Sequence, residues 1–159
     1  MLNQADITST IKSVPWFLEL APESVNRLSG IANLCSFNTG DIIFNEGEQD
    51  PILYILLEGK VLLESFVPGH GALPIFVAES LDVIGWSSLT PMVRQKTSTA
   101  RVQEYTVALS FSAESLMELC ESDSELGFIV MRRIANIVAS RYLNHRLHLL
   151  ELISDQGKG

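Results

Sequence analysis

Residues suited to redox or metal chemistry are scarce in this chain. Among 159 residues there are two cysteines, Cys35 and Cys120, and three histidines, His70, His145 and His148. The cysteines lie far apart and form no CxxC, which argues against a disulfide framework and for buried thiols in a reducing cytosol. Basic residues are few as well: 11 Lys and Arg stand against 19 Asp and Glu, a formal net charge of −8. Counterion release needs clustered Lys and Arg, so the balance excludes a general binder of nucleic acid or anionic membrane, though not one small anion site. No apolar run approaches the roughly 18–20 residues of a membrane span. The opening MLNQADITST has neither a basic nor a long apolar segment of the signal-peptide kind. A cytoplasmic protein is the expectation. The composition, 47% hydrophobic and 19% charged, is globular. A chain near 150 residues buries roughly 68–70% of its unfolded surface, which suits a single domain over residues 1–159.

Three zones follow one another. Residues 1–33 read as helices: Ile7, Ile11 and Val14 share a face before Pro15, and a second helix starts near Ala21-Pro22-Glu23 with proline early and an acid in its first turn. Residues 34–111 read as about eight short strands, at Cys35–Asn38, Asp41–Phe44, Ile52–Leu57, Lys60–Phe66, Leu73–Val77, Leu81–Ile84, Thr97–Val102 and Thr106–Phe111. Six of the ten glycines fall between Gly40 and Gly85, in turns such as Glu58-Gly59 and Pro68-Gly69-His70-Gly71. Strands this short with turns this close predict a jelly roll or barrel and not βαβ units. Residues 112–154 are helical again. Ser112 is placed to cap a short helix through Cys120, and Asp123 or Ser124 to cap a long one reaching about Ile153, with a frayed tail at Asp155–Gly159. Leu126, Val130, Ile134, Ile137 and Val138 form a stripe that packs on the barrel. Leu143, Leu147 and Leu150 form a second stripe with 4-then-3 spacing. It fits a helical partner, and so a homodimer, or a helix folded back on its own barrel.

The sharpest electrostatic feature is local. Between Asp82 and Glu104 there is no acid, while Arg94, Lys96 and Arg101 fall in that gap, followed or joined by Thr97, Ser98 and Thr99. Read as an exposed cationic loop rich in donors, this is an anion cradle; read plainly, it is a solvated loop.

The order of the pieces adds weight to the cradle. Ile42-Ile43-Phe44-Asn45-Glu46-Gly47-Glu48, then Leu53-Tyr54-Ile55-Leu56-Leu57-Glu58-Gly59-Lys60-Val61, resembles the cyclic-nucleotide-binding domain family. Val14-Pro15-Trp16-Phe17 with Leu20 and Pro22-Glu23-Ser24 looks like that family's N-terminal segment, and the resemblance runs from about Ile7 to Leu150. It implies a β-roll with flanking helices. It also implies a phosphate-binding cassette, usually Phe-Gly-Glu followed about ten residues later by Arg-(Ser/Thr)-Ala, in which Glu meets the ribose 2′-hydroxyl and Arg the cyclic phosphate. Here the matching stretch is Ile84-Gly85-Trp86-Ser87-Ser88, then Lys96-Thr97-Ser98-Thr99-Ala100. By spacing Lys96 takes the Arg position; anchored on Thr99-Ala100, Ser98 does. Both polar anchors are replaced. An indole has one N–H and no acceptor, so Trp86 does not substitute for a carboxylate. Lysine keeps the charge and loses the bidentate fork. Arg94 or Arg101 stands near enough in sequence to compensate.

Three outcomes stay open: loss of ligand binding with Trp86 filling the ribose space, binding of a different anion by Lys96 and the Thr97–Thr99 donors, or weak binding of a common cyclic nucleotide. The candidate ligand residues are Gly85, Trp86, Ser87, Lys96, Thr97 and Ser98. Asn136 and Ser140, which extend the leucine stripe backwards, are expected to face the base. The resemblance further implies a regulatory module that acts through its C-terminal helix on a protein partner, as a homodimer. Transcription regulators of the family continue into a helix-turn-helix; with the chain ending at Gly159, direct DNA binding is not expected. The competing class is a metal-dependent cupin enzyme, whose barrel needs about three converging histidines. Two of the three here, His145 and His148, sit on the terminal helix, and His70 sits at a hairpin tip. No GxSxG, HExxH or P-loop occurs. Neither catalysis nor a metal cofactor is expected.

Overall fold

The computed structural model describes residues 4–157. Two short helices, α1 (Gln4–Ser13) and α2 (Pro22–Ile31), flank a tight 3-10 turn at Pro15–Phe17. Proline at the first position of both the turn and α2 needs no backbone donor there and presets φ. Six strands follow: β1 (Ala32–Phe37), β2 (Ile42–Phe44), β3 (Ile52–Val67), β4 (Gly71–Ala78), β5 (Val83–Ile84) and β6 (Thr99–Ser112). A second 3-10 turn, Trp86–Leu89, leaves β5, and the chain ends in α3 (Ala113–Ser122) and the 33-residue α4 (Ser124–Gln156).

All pairings are antiparallel. The sheet runs β1-β6-β3-β4, with β2 also on β6 and β5 also on β3. The fold is the expected antiparallel β-roll between helices, with six strands in place of about eight. Glu58-Gly59 does not end a strand. It is a bulge inside β3, where the register against β6 slips between Leu56 and Val61. Gly59 sits at φ 95°, and a Cβ there would lie 2.3 Å from the Tyr105 carbonyl oxygen and 2.4 Å from the Thr106 hydroxyl. The two candidate strands on either side of it are therefore one long strand. The last two strands merge in the same way into β6, whose start moves from Thr97 to Thr99.

Two apolar clusters result. One fills the space between roll and helices, where Ile11, Val14, Leu28, Phe111, Leu126, Val130 and Ile134 are buried. The other lies inside the roll around Phe44, Leu56, Val61, Ala100 and Val102. The expected packing stripe of α4 lies on the first cluster, with Ile137 and Val138 half-buried at its edge. Asp123 is the N-cap of α4: Oδ1 accepts from the Leu126 amide at 3.1 Å and Oδ2 from the Ser24 hydroxyl at 2.6 Å. Ser112 occupies the cap position of α3 without a side-chain hydrogen bond, so its capping role is positional only. At the far end α4 stays helical through Asp155 and Gln156, where a frayed tail was expected. Both cysteines are free thiols; Cys120 is buried as expected, whereas Cys35 is only partly so. No helix among the described residues is long and apolar enough to cross a membrane.

Candidate functional site

A cavity of about 240 Å³ opens between the inner face of the roll and α4. Phe44, Leu63, Ile75 and Phe76 supply the sheet side; Ile84, Gly85, Trp86, Ser87 and Lys96, Thr97, Ser98 supply one end. Val138, Arg141, Tyr142 and His145 of α4 close the other side. The six cassette residues named from the sequence therefore meet in one place. Gly85 is in the left-handed region at φ 77°, and a Cβ on it would lie 2.6 Å from the Ile52 carbonyl and 2.8 Å from Lys96 Nζ. No larger residue fits without moving one of them.

Lys96 is not the exposed loop cation that its sequence setting suggests. It is 2% exposed. Its backbone is fixed first: the Lys96 amide donates to Glu48 O and its carbonyl accepts from the Gly47 amide, both at 2.8 Å. The side chain then runs inward. Nζ donates to Ile52 O at 2.8 Å and Gly85 O at 3.4 Å, lies 3.8 Å from Asp50 Oδ2 and sits 4.8 Å from the centre of the Phe44 ring. Desolvation pushes the ammonium's pKa below the ordinary lysine value, opposed by Asp50. Desolvation pushes Asp50 up, opposed first by Lys96. Lys96 thus ties the β2–β3 connection to the turn after β5, with two of its donors on backbone carbonyls and the Asp50 carboxylate close by.

The neighbouring cations do not take over its role. Arg101 pairs with Glu64 on β3 at 3.3 Å, and Arg94 is exposed beside a different cavity lined by Asp50, Thr90 and Glu114. Thr99 Oγ1 accepts from the Glu46 amide at 2.9 Å. Thr97 is exposed and Ser98 buried, so the run of hydroxyls does not form one open cradle. Trp86 is half-buried, packed on the helix-side core and forming part of the cavity wall.

On α4 the expectation is corrected. Asn136 and Ser140 are exposed and border a neighbouring cavity with Trp16, Asp82 and Arg133. The cavity between roll and α4 is faced by Arg141 and His145, which sequence reasoning passed over. Arg141 stands between the two cavities, its guanidinium carbon 3.4 Å from the centre of the Phe76 ring. Nη2 donates to Val83 O at 3.2 Å, while Nη1 is buried and without a hydrogen-bond partner. The signal was available: Ile134, Val138, Arg141 and His145 continue the buried stripe with 4-3-4 spacing. Leu143, Leu147 and Leu150 are about half exposed on a separate face, not folded back on the barrel.

A family profile described as the cyclic nucleotide-binding domain matches residues 34–123, more than half of the chain. This chain belongs to that family. Among curated relatives, a cGMP-dependent protein kinase of Drosophila melanogaster (isozyme 2 forms cD5/T2) is 30% identical over 61 residues, covering 38% of this chain and 6% of the kinase. The chain therefore corresponds to a small part of such relatives. A solved structure from Geobacter metallireducens GS-15, provisionally named a cyclic nucleotide-binding protein, is 26% identical with a TM-score of 0.71 and covers 89% of this chain and 99% of its own. The regulatory subunit of a cAMP-independent protein kinase A from Trypanosoma brucei shares the fold: TM-score 0.73, 16% identity, 91% of this chain and 51% of that one. The class is a regulatory module of the cyclic-nucleotide-binding type.

Proposed function

We propose that this module does not use its cassette to grip a cyclic phosphate, so that cyclic AMP binds weakly or not at all. The observation that carries the reading is Lys96: a 2% exposed ammonium held by Ile52 O and Asp50 is not available to a ligand. Trp86 adds a second loss, since an indole has no acceptor for a ribose hydroxyl. Among the described residues no acid lines the cavity to replace it. Each lost charged hydrogen bond costs about 1.5–3 kcal/mol, and two weaken binding about 100- to 10,000-fold. The fold itself does not demand the usual messenger, since it occurs in a kinase subunit named as cAMP-independent. Calorimetry on the full chain with cyclic AMP, cyclic GMP and cyclic dinucleotides tests the reading. Silence across the panel is expected, and saturable binding at low micromolar concentration contradicts it.

A second reading, a sensor for a different anion, is favoured by one observation: Arg141 brings a guanidinium to the cavity from α4. In either case the output passes through α4 to a protein partner. We place a second copy of the chain on the exposed Leu143, Leu147 and Leu150, because a half-exposed leucine stripe at heptad spacing is stabilised by a facing helix. This reading has a cytoplasmic, non-enzymatic regulator. The free cysteines support the compartment, and the net charge of −8 supports action through protein contacts and not direct DNA binding.

A further inference from the structure

We infer that the cavity between the roll and α4 takes a small aromatic monocarboxylate held by Arg141. The inference rests on the reading above, in which Lys96 serves the protein and not a ligand. At about 240 Å³ the cavity is smaller than the ~300–1,000 Å³ usual for drug-sized ligands, so it suits a single-ring compound. Its wall holds two cations, Lys96 and Arg141, and no acid among the described residues. Positive charge set in apolar walls selects an anion.

Of the two cations, Lys96 has its partners. Arg141 does not. Its Nη1 is buried with no acceptor, although the same guanidinium is fixed in place by Val83 O and by stacking on Phe76. Asp82 acts on Arg141 electrostatically, from the side of the neighbouring cavity, without forming an ion pair with it. A buried charged donor left unpaired is costly, and a carboxylate oxygen is the acceptor that matches it in charge and geometry. The rest of the ligand is set by Phe44, Phe76 and Trp86, rings that receive another flat ring edge-on or offset. A neutral ring would leave Nη1 unpaired. A phosphate dianion would bring a second charge into apolar walls where the other cation is already engaged. One ring and one carboxylate satisfy both constraints.

The test is calorimetry of the full chain with phenylacetate, benzoate and 3-phenylpropanoate, with phenylacetamide as the uncharged counterpart of the first. Saturable binding of at least one acid is expected, with the amide at least about 10-fold weaker than phenylacetate where that acid binds. Arg141→Gln should weaken the acid by about 10- to 100-fold while thermal unfolding shows the variant folded. The acid-against-amide comparison uses the unaltered chain, so it decides the matter even if the variant unfolds. Silence from all three acids, or acid binding unchanged in folded Arg141→Gln, overturns the inference. Cyclic AMP added to the same panel separates the two failures. If cyclic AMP is silent too, only the carboxylate inference falls. If it binds tightly, the reading beneath it has failed.

Discussion

Lys96 carries the argument at the scale of single residues, and its burial has a consequence for stability. Replacing it with methionine keeps most of the apolar volume but removes the donor to Ile52 O and leaves Asp50 without a counter-charge. Asp50 retains some exposure, so the loss is set at about 1–3 kcal/mol, below the usual cost of stranding a fully buried charge. Lys96→Met should lower the urea midpoint accordingly, and adding Asp50→Asn should restore part of it. A single variant as stable as the parent would show that Lys96 is not a structural tie. The residue's spacing from Trp86 was legible in the sequence, but its direction was not. A lysine in an acid-free loop reads as solvated. What turns it inward is the pairing of its backbone with Gly47 and Glu48, a contact between segments about 50 residues apart that no local pattern reveals. Trp86, by contrast, was located through the family resemblance, and it lines the same cavity as Lys96, directly after Gly85 with its left-handed φ.

Among the elements, α4 was well predicted in extent and in its packing stripe, but not in the facing of Asn136 and Ser140. Its cap at Asp123 is tied to α2 through Ser24 and, at 3.7 Å, Arg27. The hydroxyl of Ser24 is the first cause holding the Asp123 carboxyl below the ordinary aspartate value of 3.8, with the Leu126 amide second. A carboxyl lowered in the folded state adds stability above its unfolded pKa, and that stability fades as pH falls through the folded value. Asp123→Ala should therefore cost about 1 kcal/mol near neutral pH, as lost N-caps do. The gap between variant and parent in thermal unfolding should narrow below pH 3.8. A gap that stays constant into strong acid would mean that the charge is not what caps the helix. The misplacement of Asn136 and Ser140 has a geometric origin. They were found by running the leucine stripe backwards, and at about 100° per residue Asn136 and Ser140 stay on the leucine face, roughly opposite Ile134, Val138, Arg141 and His145. The leucine face and the face that meets the barrel are therefore opposite sides of the helix. The stripe ending in Arg141 and His145 stays in register with the buried residues and so follows the barrel. If the leucine face is an interface, sedimentation at micromolar concentration should show a dimer and Leu147→Glu a monomer. A monomeric parent would remove that assignment.

For the whole molecule, the three zones, the β-roll and the family were legible because glycine turns and apolar alternation are local signals. Strand number was not, since a bulge at Gly59 and a turn both present a glycine after an acid, and only the paired strand distinguishes them. The cavity was half legible: its cassette end is one continuous stretch of sequence, while its α4 side depends on how a 33-residue helix lies across the roll. The resulting molecule keeps the family's architecture and reassigns its cations, one to the protein's own carbonyls and one, on the helix, left with a free donor. The measurement that bears most directly on this is the equilibrium binding of cyclic AMP to the full, unaltered chain by calorimetry. The account predicts no saturable heat at micromolar nucleotide; tight one-to-one binding would contradict it.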